Sequence, residues 1–119
     1  MNIEQLRDFA LSLSDDIEER FPFQKFKAAN GILVFYTCGH TFLYIDVDNF
    51  ETITVKCQPD RIVELKEHYD GIMRPVNFNP KYWIGIRVND VPDDLTLQLV
   101  RNSFALVKAK YRKLKMKDQ

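Results

Sequence analysis

A thiol and an imidazole stand almost side by side in Cys38-Gly39-His40. A zinc site needs three or four ligands, and no second cysteine pair lies at the usual spacing. A Cys–His nucleophilic pair needs an orienting third group and an oxyanion hole, and the sequence offers neither. A plain hairpin turn is the reading that remains. The carboxylates are no better organised. Asp46, Asp48 and Glu51 lie close together but lack the EF-hand spacing and its central glycine. Asp15, Asp16, Glu18 and Glu19 could meet a hard cation such as ferrous iron loosely through oxygen, and a solvated acidic loop is the simpler account. His68 reads as solvated on a charged helix face. With only four glycines in the chain, no phosphate-cradling loop, nucleophile elbow or His-Glu-x-x-His motif is found. The expectation is a protein that is not an enzyme and carries no cofactor or resident metal.

Recognition chemistry is better represented. If Leu43, Ile45 and Val47 point into a core, Phe42 and Tyr44 point away from it. If Ile84, Ile86 and Val88 point inward, Trp83 and Arg87 point outward, and Lys56 joins them from a neighbouring strand. Aromatic rings interleaved with cations are what single-stranded bases stack on. The same rings could instead lie under a loop or a long C-terminal helix, or bury against a protein partner. A second basic feature is the run Arg101, Lys108, Lys110, Arg112, Lys113, Lys115 and Lys117, opposed only by Asp118. It suits phosphate contacts. It also suits a solvated helix end, where each cation gains about 0.3–1 kcal/mol from the helix dipole.

The bulk properties limit how far charge can act. Seventeen basic and seventeen acidic residues leave a formal net charge of zero, so no global field draws in nucleic acid or an anionic membrane. The first twenty residues are acidic and the last twenty basic. No leader pattern opens the chain, and no run approaches the ~18 apolar residues of a membrane span. Two cysteines do not make a secreted disulfide framework. A cytoplasmic monomer is expected, with residues 1–119 as one domain.

The elements that must position these residues follow from periodicity. Asn2 can cap a first helix with Gln5 as its capping-box partner, and Ile3, Leu6, Ala10 and Leu13 repeat at helical spacing. Residues 15–22 read as an acidic connection. Strands are predicted over 32–37, 41–47 and 51–57, and their short spacers imply an antiparallel meander. Pro59 suits the first turn of a helix that stops near Gly71. Residues 72–80 read as irregular, and a fourth strand covers 82–88. Asp93 is expected to cap a last helix with an apolar stripe of Leu97, Val100, Phe104, Val107, Tyr111 and Leu114. The order αβββαβα, without βαβ regularity, gives an α+β fold with helices on one face of an antiparallel sheet.

Several pieces of the sequence, in order, resemble the bacterial MmcQ/YjbR family. They are Gly39-His40-Thr41-Phe42, then Val55-Lys56-Cys57-Gln58-Pro59-Asp60-Arg61 leading to Leu65. Asn79-Pro80-Lys81-Tyr82-Trp83, Val91-Pro92-Asp93-Asp94 and Ser103-Phe104-Ala105-Leu106-Val107 follow. The resemblance implies a fold similar to frataxin/CyaY, with N- and C-terminal helices packed on an antiparallel sheet. It also implies the "double wing" DNA-binding role proposed for the family, with Lys56, Lys81 and Trp83 as its contact positions. The chain departs from the family where Asn77 and Pro80 replace a frequent His and Lys, so two phosphate or base contacts are missing. Together these readings name Lys56, Lys81, Trp83, Arg87, Phe42 and Tyr44 as candidate nucleic-acid-binding residues. DNA or another protein is the expected partner, with weak frataxin-like iron binding as a third reading.

Overall fold

A backbone that alternates apolar and polar residues over five to seven positions can bury one face and leave the other to solvent. The stretch Thr52–Lys56 does so cleanly, and it aligns with three other strands, more continuously apolar or interrupted, as the centre of one sheet. The computed structural model describes residues 1–23, 25 and 31–117, with side chains to residue 112. Its elements run α1 (Ile3–Ser12), β1 (Glu18–Arg20), β2 (Ile32–Thr37), β3 (His40–Asp46), β4 (Thr52–Lys56), α2 (Pro59–His68), β5 (Ile72–Met73), β6 (Trp83–Arg87) and α3 (Asp93–Lys117). The sheet has six strands in the order β1-β2-β3-β4-β6-β5, with every pair antiparallel. The expected α+β architecture and antiparallel meander are both present.

The capping box at the start of α1 forms as read, with Asn2 and Gln5 exchanging backbone-to-side-chain hydrogen bonds of 2.8 and 2.9 Å. The tip between β2 and β3 is a two-residue turn at Cys38 and Gly39, whose φ angles are 53° and 76°. Two positive φ values match the right-handed twist of the flanking strands, and glycine takes the second at no steric cost. Pro59 opens α2 as expected.

Three boundaries differ from the sequence expectation. Residues 18–20 form the edge strand β1 inside the stretch read as an acidic connection. Glu18, Glu19 and Arg20 carry no apolar alternation to reveal it, and charged residues on a short edge protect it from pairing with other chains. Ile72 and Met73 form β5 at the other edge, a strand too short to leave a periodic signal. Helix α3 opens at Asp93 rather than after it. The Pro92 carbonyl accepts the Thr96 N–H at 3.0 Å, so Asp93 lies in the first turn instead of capping it.

The helices share one face of the sheet and close a single core. Leu6 and Ala10 of α1, Ile62 and Leu65 of α2, and Leu99, Val100 and Val107 of α3 meet Leu43, Ile45, Ile53, Val55, Ile84 and Ile86. The buried line of α3 includes Thr96, Leu99 and Ser103, while Leu97, Phe104 and Tyr111 flank it. The Leu114 side chain, expected in that stripe, lies outside the described residues, as do the side chains of Lys113, Lys115 and Lys117 and all of Asp118.

A β-bulge overturns one expectation. Phe35 pairs with Leu43 but Tyr36 pairs with Thr41, which leaves Phe42 as an extra residue in β3. Two residues of β3 then oppose one of β2, and strict alternation fails there. Phe42 and Leu43 both turn to the helix side. Phe42 is fully buried, with Phe104 at 5.5 Å and Phe35 at 6.4 Å between ring centroids. It belongs to the core, not to the outward-facing candidate surface.

The bulge leaves backbone groups that the ladder does not satisfy, and a side chain from α3 reaches them. The buried Ser103 hydroxyl accepts the Lys56 N–H at 2.8 Å and donates to the Phe42 carbonyl at 2.6 Å. Removing the hydroxyl would strand both groups away from water, at about 1–3 kcal/mol each. Ser103→Ala is therefore expected to lower the unfolding free energy by about 2–6 kcal/mol in urea titration. Ala105→Ser, at an exposed site on the same helix, should change it by less than about 0.5 kcal/mol.

Candidate functional site

Strand register places the remaining candidates. Lys56 of β4 pairs directly with Trp83 of β6, and Thr52 pairs with Arg87. Since Ile53, Val55, Ile84 and Ile86 point into the core, all four of these face the other side of the sheet. Tyr44, opposite Thr54, joins them. The structure thus brings together Lys56, Trp83, Arg87 and Tyr44 on one outer face, as the alternation implied, and withdraws Phe42 from it.

A connection that the sequence left irregular completes the surface. Phe78, from the segment between β5 and β6, packs on Tyr44 at 4.6 Å and on Trp83 at 5.1 Å, and Tyr44 and Trp83 are 5.9 Å apart. The three rings form a ridge across the outer face, each half-buried. Burial pushes the Tyr44 phenol pKa up, and its hydroxyl donates to Thr41 at 2.8 Å. Sequence reasoning missed Phe78 because no strand or helix period runs through residues 74–82. The only hint is a single aromatic between Asn77 and Asn79.

The cations differ in their surroundings. Arg87 is exposed and lies 3.4 Å from Asp90. Arg20 of β1 pairs with Glu18 and lies over the Tyr36 ring. Lys81 is exposed above the Tyr82 ring, at 5.5 Å. No carboxylate among the described residues lies within ion-pair distance of Lys56 or Lys81. On one side of the ridge, beneath residues 76–78, runs a groove of about 670 Å³ floored by Ile32, Tyr44, Asp46, Thr52 and Thr54.

The basic residues of α3 are elsewhere. That helix packs on the core face, so Arg101, Lys108, Lys110 and Arg112 belong to the opposite side of the sheet from Lys56 and Trp83. Arg101 lies over Phe9, and Lys108 reaches Ser14 at 2.9 Å and Asp16 at 3.4 Å. Among the described side chains, the two basic features named from sequence are not one surface.

The acidic stretch is divided among structural tasks. Glu19 turns to the helix side and pairs with Arg7 of α1, while Glu18 turns outward to Arg20. Asp16 accepts from Ser14, from the Thr37 hydroxyl at 2.8 Å and from the Cys38 N–H at 3.3 Å. It ties the chain after α1 to the β2–β3 hairpin and, through Lys108, to α3. Among the described residues, no three His, Cys, Asp or Glu side chains converge as a metal site. Cys38 stands at the hairpin tip and His40 stacks on Tyr111, 3.3 Å between centroids. Cys57 is buried in the core beside Val55 and Ile62, and burial pushes its thiol pKa up.

A family model described as YjbR matches residues 11–106. The chain is similar to a crystal structure of the Deinococcus radiodurans protein DR2400, which carries a DUF419 domain. That match has 25% identity and a TM-score of 0.79, over 90% of this chain and 78% of that one. A Pseudomonas syringae protein shares the fold at 23% identity and a TM-score of 0.73, over 90% of this chain and 99% of that one. No curated protein matches it.

Two predictions follow from the polar contacts and the thiols. The hydrogen bond from Ser14, followed by those from Thr37, Lys108 and Cys38, holds the Asp16 carboxyl below the usual carboxylate range, against the opposing effect of partial burial. A depressed folded-state pKa gives stability that is present above the unfolded value of about 3.9 and is lost as pH falls below it. Asp16→Asn should therefore flatten the acid side of the stability profile, read as urea midpoints at successive pH values below about 4. Cys38 should react with a thiol reagent in the folded protein, whereas Cys57 should react only at the rate of global unfolding.

Proposed function

The chain belongs to the YjbR family, and from that premise we propose that it is a non-catalytic domain whose outer sheet face binds single-stranded nucleic acid. The observation that carries this reading is the direct cross-strand pairing of Lys56 with Trp83, beside Tyr44 and Phe78. A cation that can meet a phosphate thus stands next to rings that can stack on a base. Lys81 and Arg87 add charge at either end of β6. The affinity is modest, because net charge is zero and few cations converge.

A second reading has one observation in its favour. Val76, which lines the groove with Phe78, is 76% exposed, and so adds to the ridge apolar surface of the kind that protein partners cover. Salt separates the two, since only phosphate contacts release counterions.

Trp83 is the chain's single tryptophan, so its fluorescence reports the site directly. Titration with an oligonucleotide should quench it, with an affinity that falls as salt rises. Trp83→Ala, followed by anisotropy of a labelled oligonucleotide, should lose about 1–3 kcal/mol of binding. Lys56→Ala should reduce the salt slope by about one while leaving sequence preference unchanged. A folded protein that binds no oligonucleotide at low salt would refute the proposal and leave the protein-partner reading.

A further inference from the structure

The groove beside the aromatic ridge differs chemically from the Lys56 side. Its floor is set by register. Tyr44 and Asp46 are two apart on β3, Thr52 and Thr54 two apart on β4, and Ile32 of β2 pairs with Asp46. Phe78 forms one wall, and the volume of about 670 Å³ falls in the range of small-molecule sites. Among the described residues that line it there is one carboxylate and no cation. Asp46 disfavours a phosphate inside the groove, and Arg87, paired across from Thr52 at its edge, is engaged by Asp90, so the base is the part of a deoxynucleotide whose donors suit this floor.

The carboxylate also restricts which base. Asp46 Oδ1 already accepts the Asp48 and Asn49 N–H groups at 3.1 and 3.2 Å. Oδ2 has no donor among the described residues, and an ionised carboxylate only accepts. A single exocyclic amine is therefore the matching group, as when an acidic side chain accepts from cytosine N4. The Thr52 and Thr54 hydroxyls can donate to the ring nitrogen beside that amine. Thymine fits poorly, because its one imino donor is flanked by two carbonyl oxygens that would face the carboxylate.

We propose that the groove floored by Tyr44, Asp46, Thr52 and Thr54 takes an amino-bearing base of the bound strand and selects cytosine over thymine through Asp46. This rests on the nucleic-acid reading above and adds the base class to it. Oligodeoxycytidylate and oligothymidylate of equal length are titrated at low salt into wild-type protein and Asp46→Asn, with Trp83 fluorescence as the signal. Wild type should prefer the cytidylate about tenfold, the value of one hydrogen bond to a charged group. In Asp46→Asn the amide oxygen can keep the turn contacts while its NH₂ replaces the acceptor, so the preference should vanish or invert. Equal wild-type affinity for the two strands, or a preference unchanged in the variant, overturns this inference and leaves the broader reading standing. Failure of both strands to bind wild type removes the broader reading and this one with it. If Asp46→Asn does not fold, Thr54→Val on the same floor takes its place, and a preference unchanged there likewise overturns the inference.

Discussion

The Ser103 hydroxyl holds together the three parts of this molecule that matter most. Helix α3, the bulge in β3 and the end of β4 meet at that one group, through hydrogen bonds to Phe42 and Lys56. A bulge in the middle of a sheet exposes backbone groups that must be satisfied, and few side chains are small and polar enough to do it inside a core. Serine costs little to bury when both its donor and its acceptor are used. Asn102, the preceding residue, exchanges hydrogen bonds of 2.8 and 3.1 Å with Gln58. Helix α3 is thereby registered against the strand-to-helix corner that carries Lys56.

The consequences reach the outer face. Because the bulge turns Phe42 inward, the core gains a ring that packs on Phe35 and Phe104, and the outer face loses one. Because the Lys56 backbone is fixed from behind, its side chain is held on the outer face opposite Trp83. Core and candidate site are thus two sides of the same few residues. The ridge of Tyr44, Phe78 and Trp83 then stands between Lys56 and the groove containing Asp46, and Arg87 borders that groove across from Thr52.

Charge acts locally in this protein. The described basic side chains of α3 and those of β4 and β6 lie on opposite sides of the sheet, so they do not form one contact surface. Several acidic residues near the N-terminus hold elements together, through Arg7 with Glu19 and Lys108 with Asp16. Specific contacts at Lys56, Asp46 and the aromatic ridge must then provide any selectivity, with little help from steering at a distance.

Most of the fold was legible in the residues themselves. Alternation in Ile53-Thr54-Val55-Lys56-Cys57 and in Trp83-Ile84-Gly85-Ile86-Arg87 gave both strands and their faces, because side-chain direction in a strand has a fixed period of two. Asn2 with Gln5, Pro59 and Cys38-Gly39 marked a helix start, a second helix start and a turn by local stereochemistry alone. Strands β1 and β5 were not legible, since they are edge segments whose pairing comes from neighbouring strands and not from their own pattern. Phe42 was assigned to the wrong face because a bulge is a relation between two strands, and neither strand's sequence contains it. Phe78 was missed, and Asp46 was read only as one of a carboxylate trio with Asp48 and Glu51, for the same kind of reason. One lies on a connection without period, the other in a turn-side position, and only the packed sheet sets Phe78 on Tyr44 and places Asp46 beside Thr52. The sequence determined which residues alternate, cap and turn; the tertiary structure decided which of them meet, because contacts between distant segments depend on register and crossing that no local preference specifies.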